Sequence, residues 1–207
     1  MTRAVYIIGA AGAGKSRFMD EVLNFGGWEL EPEEVTIHAR PNTRQLVPLR
    51  GHEVRKRSGV GPKGIYLGRT GHEFPGTDGL NRACTPVGIE WLTTYRLPDM
   101  IVAEGGTMAT RPFLYALHQA TNLLLVHLDA EDFLLELRWM IRGQVQTPKF
   151  IQASKTKSVN LASDMEKRGT WVRTVNAGDP EDWRWGIQNV VLHLDPAYYD
   201  RAPYTLS

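Results

Sequence analysis

Apolar positions along the chain fall into two alternating rhythms. Ala4-Val5-Tyr6-Ile7-Ile8 is short, continuously apolar and rich in β-formers, the pattern of a strand buried on both faces of a parallel sheet. Glycines follow, and Ser16 to Phe25 then sets Phe18, Met19, Val22 and Leu23 at helical spacing until Gly26-Gly27 stops it. Further strands are predicted at Val35–His38, Met100–Ala103, Leu123–Leu128 and Trp171–Val175, with helices at 86–97, 108–120, 131–142, 155–167 and 181–193. Such alternation predicts an α/β domain, a parallel sheet covered by helices on both faces. Residues 40–81 break the rhythm, being rich in Gly, Pro and cations, and read as an inserted excursion carrying at most a small strand at Gly64–Gly68.

Composition narrows this little. The 207 residues are 42% hydrophobic and 23% charged, ordinary for a single globular domain over 1–207. Cys84 is the one cysteine, as expected of a reducing, cytoplasmic setting. A formal charge of +1 recommends neither nucleic acid nor a membrane surface globally, so any such attraction is local. The N-terminal run resembles a signal peptide only superficially, because glycines break it and Lys15-Ser16 ends it. The longest other apolar stretch, Leu123–Leu128, is strand-length, and no membrane association is expected.

The chemistry begins at Gly9-Ala10-Ala11-Gly12-Ala13-Gly14-Lys15-Ser16, a full G-x-x-x-x-G-K-[ST] motif between a buried strand and a helix. Small residues let successive backbone N–H groups and the helix N-terminus surround phosphates. Lys15 reaches the β and γ oxygens, and Ser16 is a ligand for Mg²⁺. The motif predicts a nucleoside triphosphate, ATP, without saying what becomes of its γ-phosphate.

An acid at a neighbouring strand end is needed beside it. Glu104, before Gly105-Gly106, is the favoured metal ligand or base, whereas Asp129 reads as a helix cap. Arg138 and Arg142 share a helix face, and the cationic segment 138–157 that they open predicts a mobile lid over transferring phosphate. The glycine-rich loop 66–80 carries Arg69, Thr77 and Asp78, which with Lys155 and Lys157 are candidate substrate contacts; Asp78 is either an acceptor of the attacking hydroxyl's proton or the carboxylate of a simple turn. His38, His52 and His72 read as hydrogen-bonded loop histidines, and Trp171, Trp183 and Trp185 as packing.

Together the P-loop, Ala103-Glu104-Gly105, the arginine helix and the Val175–Asp179 loop resemble the nucleoside and nucleotide kinase group of P-loop proteins. The resemblance implies a three-layer sandwich with a five-stranded parallel sheet, phosphoryl transfer from ATP with Mg²⁺, and a base near Asn176–Asp179. The Gly68-Arg69, Phe74–Asp78, Arg142-Gly143 and Gln146 pattern is more narrowly similar to bacteriophage P-loop kinases, some of which phosphorylate 5-hydroxymethyluracil in DNA. That likeness implies a nucleotide, nucleoside or hydroxymethylated base as acceptor and, if phage-encoded, action in a host cytoplasm. Glu104-Gly105-Gly106 replaces the Asp-Arg pattern of thymidylate and deoxynucleoside kinases, which speaks against a bare nucleoside. A P-loop ATPase or switch, or an ATP-regulated nucleic-acid-binding module using the basic stretch 40–69, are the alternatives.

Overall fold

The computed structural model describes residues 1–41, 46–71, 75–141, 143 and 146–201. In chain order they form β1 (Arg3–Gly9), α1 (Lys15–Phe25), β2 (Trp28–Pro41), β3 (Leu46–Lys56), β4 (Gly64–Leu67), α2 (Cys84–Thr94), β5 (Met100–Glu104), α3 (Arg111–Ala120), β6 (Asn122–Asp129), α4 (Asp132–Ile141), α5 (Pro148–Lys167), β7 (Trp171–Asn176), α6 (Pro180–Leu194) and α7 (Tyr198–Arg201). One sheet runs β2-β3-β4-β5-β1-β6-β7. Strands β4, β5, β1, β6 and β7 are parallel, and β2 and β3 extend them as an antiparallel hairpin.

The parallel core thus has the five strands expected, with one substitution of membership. Val35–His38 lies inside the edge strand β2, and the fifth parallel strand is the short Gly64–Leu67 run. Residues 40–81 are correspondingly less irregular than their composition implies, since eleven of them are strand β3. Val47, Leu49 and Val54 of β3 are buried, while Arg50 and Arg55 lie partly open to solvent. Pro48 and Gly51 disguise this alternation as a loop. Arg50 and Arg55 are matched across the hairpin, Arg50 by Glu34 and Arg55 by Glu29 and Glu31, and Arg69, beyond β4, also pairs with Glu34.

Both faces of β1 are covered, which is why its sequence is apolar throughout. Val5 and Ile7 join a core with α1 and α6 through Phe18, Met19, Val190 and Val191. Ala4, Tyr6 and Ile8 join the opposite core with α2, α3 and α5 through Trp91, Phe113, Leu161 and Met165. Helix α5 starts at Pro148, ahead of the expected 155, because Thr147 caps it by accepting from Phe150 N–H at 3.3 Å and Pro148 suits a first turn. No described helix is long and apolar enough to cross a membrane.

The base of the hairpin is tied to the chain's end. Lys56 Nζ lies 3.0 Å from Asp195 Oδ2, both side chains being at most 8% exposed, and sits 3.8 Å from the Trp28 ring centroid. Lys56→Met removes the cation 3.0 Å from the buried Asp195 carboxylate and should cost about 3 kcal/mol in urea unfolding. Adding Asp195→Asn should restore part of that loss.

Candidate active site

Parallel strands β1 and β5 are neighbours, with Ile7 opposite Glu104, so the P-loop leaving β1 and the acid ending β5 emerge side by side. This is the carboxyl edge of an open α/β sheet, where ligands bind. A cavity of about 860 Å³ opens there, lined by Gly9, Ala11, Gly12, Gly14, Lys15 and Ser16 below and by Asp78, Arg82, Glu104, Thr107, Trp139, Phe150 and Lys157 around it.

The loop is held from α4 and α5. Ala11 N–H donates to Ser154 Oγ at 3.0 Å, and Trp139 Nε1–H donates to Ala11 O at 3.2 Å. Gly12 has φ of +88°, and a Cβ there would stand 3.0 Å from Trp139 Nε1, so glycine is needed for conformation and space alike. Arg138 donates to Gly12 O at 3.2 Å, Ala13 O at 2.8 Å and Ala177 O at 3.1 Å, binding the P-loop to the loop after β7. Lys15 Nζ lies over the loop, donating to Ala10 O at 3.1 Å and Gly9 O at 3.4 Å.

Two carboxylates face the cavity in different surroundings. Glu104 is 1% exposed, and its Oε1 accepts from Ser16 Oγ at 2.9 Å and from Tyr66 OH at 3.4 Å. Burial pushes its pKa up to about 7, against the opposing pull of the Lys15 ammonium and the Ser16 hydrogen bond. Gly76, with φ of +68°, passes so close that a Cβ would stand 2.3 Å from Glu104 Oε1. Asp78 does not simply close its own turn: its Oδ1 accepts from Gly106 N–H at 2.7 Å, Thr107 N–H at 2.8 Å and Thr107 Oγ1 at 3.2 Å. Thr77 is buried against Tyr6 OH at 3.0 Å and so anchors this turn instead of meeting a ligand.

Of the residues expected from sequence, Gly9, Ala11, Gly12, Gly14, Lys15, Ser16, Asp78, Glu104 and Lys157 line the cavity. Ala10 and Ala13 are buried behind it. Arg69 turns away to Glu34 at 2.8 Å, and Lys155 to Asp132 at 2.8 Å, so neither reaches the cavity wall. Arg142 and His72 lie outside the described residues. His52 is a hydrogen-bonded structural histidine, set between Glu31 O and Thr70 Oγ1. Sequence reading missed Trp139, Ser154, Tyr66 and Arg82. A second cleft lies on the other side of Arg138, between Gly178 and Trp183, whose indole N–H donates to Glu21 at 2.7 Å.

The donor set suits Mg²⁺, which takes one or two protein oxygens and fills its shell with water and phosphate oxygens. Ser16 Oγ and Glu104 Oε1 supply such a pair. Among the described residues no cluster of three His, Cys, Asp or Glu could hold a metal by itself.

A glycine-rich phosphate loop at the centre of a parallel sheet, with an acid on the adjoining strand and helices over both faces, defines the P-loop kinase class. Residues 1–192 match the model of the P-loop Nucleotide Kinase3 family, and the chain belongs to that family. Among solved structures it is similar to an unliganded sugar kinase from Janibacter sp. HTCC2649, 14% identical over 98% of this chain and 97% of that one, with a TM-score of 0.45. No curated protein matches it.

Proposed function

We propose that this P-loop kinase transfers the γ-phosphoryl group of ATP, bound with Mg²⁺, to a hydroxyl on a nucleotide, nucleoside or hydroxymethylated DNA base. The observation that carries the reading is the Ser16–Glu104 hydrogen bond of 2.9 Å beneath a cavity whose other wall holds Asp78. One carboxylate is thereby committed to the P-loop hydroxyl, and a second stands on the acceptor side.

The division of labour follows from these positions. Backbone N–H groups of Gly12 and of Gly14 to Ser16, at the start of α1, face the phosphates, and Lys15, now over the loop carbonyls, reaches the β and γ oxygens. Ser16 and Glu104 would hold the metal ion, which when bound would offset charge on those oxygens. Asp78, fixed through one oxygen, presents the other to the acceptor hydroxyl and takes its proton. A bond forms from that hydroxyl oxygen to the γ-phosphorus as the bond to the β-γ bridging oxygen breaks, and ADP leaves. Arg138 supports the loop and the cleft of Gly178 and Trp183, which is the place for the nucleotide base. Phe150, half exposed on the cavity wall, offers an apolar ring surface, which favours a base over a sugar alone. Recognition of a DNA acceptor falls to the cavity, because Arg50, Arg55 and Arg69 of the basic stretch are already matched by glutamates.

The test is a transfer screen with γ-labelled ATP against nucleosides, nucleoside monophosphates, and DNA with and without hydroxymethylated bases. Labelled product from one class is expected. ATP hydrolysis with no labelled acceptor anywhere in the panel would overturn the reading.

A further inference from the structure

Two adjacent residues of α4 reach three successive carbonyls of the phosphate loop. Trp139 Nε1–H donates to Ala11 O at 3.2 Å, and Arg138 donates to Gly12 O at 3.2 Å and to Ala13 O at 2.8 Å. In a planar trans peptide the carbonyl and the N–H of the next residue point in opposite directions. A donor that holds one carbonyl outward therefore turns the following N–H inward. The Ala11 carbonyl governs the N–H of Gly12, and the Ala13 carbonyl governs that of Gly14. The Gly12 carbonyl governs the N–H of Ala13, which is spent within the loop, donating to Ala10 O at 3.1 Å.

We infer that Trp139 and Arg138 are positioning residues of the phosphate site, Trp139 aiming the N–H of Gly12 and Arg138 that of Gly14. The inference rests on the reading of this loop as the triphosphate site, and it gives Arg138 to the loop backbone in place of the transferring phosphoryl group. These two amides are the ones that need such support. Those of Lys15 and Ser16 are oriented by α1, which begins at Lys15, whereas Gly12 and Gly14 precede the helix. Both glycines have positive φ, +88° and +97°, where the absence of a Cβ leaves the flanking peptide planes easiest to rotate. A plane turned over would aim its carbonyl dipole at the phosphates, so its orientation decides between attraction and repulsion. The donors are themselves held in place. Trp139 is 8% exposed, Arg138 also donates to Ala177 O at 3.1 Å, and the N–H of Ala11 is tied to α5 through Ser154 Oγ at 3.0 Å.

Titration of inorganic tripolyphosphate and of ATP into the isotope-labelled full chain, followed by amide NMR and calorimetry, tests the assignment for the native protein, Trp139→Phe, Arg138→Met and Arg138→Lys. In the native protein the amide protons of Gly12 and Gly14 should both move downfield as phosphate binds. Trp139→Phe keeps an aromatic ring without the N–H, and should remove most of the Gly12 shift while sparing that of Gly14. Arg138→Met should do the reverse. Each variant should weaken tripolyphosphate and ATP by the same factor, about 5- to 20-fold, the scale of one hydrogen bond. Arg138→Lys, which keeps a charged donor without the planar fork, should recover part of the loss. Arg138 is only partly buried, so its two variants test the mapping independently of any cost that Trp139→Phe has to the core. Unchanged affinity in both Trp139→Phe and Arg138→Met, or loss of both amide shifts together in Arg138→Met, would overturn the assignment. So would weakening of ATP with tripolyphosphate unaffected, which would place these side chains on the nucleoside. A native chain that binds neither ligand strikes the phosphate-site reading itself.

Discussion

Glu104→Gln should make the protein more stable at pH 8 while stopping phosphoryl transfer. Burial raises the folded-state pKa of Glu104 to about 7 from an ordinary value of 4.5. The folded chain then holds a proton that the unfolded chain has released. The stabilising contribution of protonated Glu104 is complete below about pH 4.5 and is lost as pH rises through about 7. Above pH 7 the buried, ionised side chain costs on the order of 3 kcal/mol. An amide at this position carries no such cost, and its carbonyl still accepts from Ser16 Oγ. The difference in unfolding free energy between the variant and the native chain should therefore grow in the variant's favour from pH 5 to pH 8. A flat difference would show that Glu104 does not titrate in this range. If Glu104 holds Mg²⁺ as proposed, transfer should fall about 10³-fold in the variant, and the native enzyme at limiting Mg²⁺ should gain rate as pH rises through about 7. Such opposition of stability and activity is expected where a charge is buried for function.

What the sequence disclosed of this site depended on how local each requirement is. The P-loop is a backbone demand, so its glycines, lysine and serine are written contiguously and locate phosphate without any tertiary knowledge. Glu104 was legible because a strand end followed by Gly105-Gly106 has a known place in a parallel sheet. Lys155 and Lys157 show the limit. Two residues apart on a helix, they point about 200° away from each other, and only the fold decides that Lys157 takes the cavity and Lys155 takes Asp132. Trp139 carried no signal, since an apolar helix position reads alike whether it meets the core or a phosphate loop. The β2–β3 hairpin was hidden for a different reason: its outward positions are charged in matched pairs across the strands, and in one dimension half of each pair looks like a basic loop. Arg82 stands just ahead of α2, and its position on the cavity wall depends on a loop path that periodicity does not encode.

Lys15→Ala should lower transfer to the true acceptor by about 10³-fold or more and weaken nucleotide binding, and its effect should be coupled to that of Glu104. Lys15 donates to Ala10 O at 3.1 Å and to Gly9 O at 3.4 Å, so its ammonium lies over the loop. The same charge favours ionised Glu104, opposing the burial that raises its pKa. Removing it should push that pKa higher still, moving the pH-dependent loss of stability to more alkaline pH and lowering the fraction of enzyme able to take Mg²⁺ near neutrality. Lys15→Met, which keeps the stem of the side chain, should behave the same way if charge is the cause. The double variant Lys15→Ala/Glu104→Gln should be little slower than the worse single variant, because each change disables the same bound complex of phosphates and metal. Retained transfer in Lys15→Ala would remove the P-loop mechanism. Strict multiplication of the two losses would show instead that Lys15 and Glu104 act at separate steps, leaving the Ser16–Glu104 hydrogen bond as architecture alone.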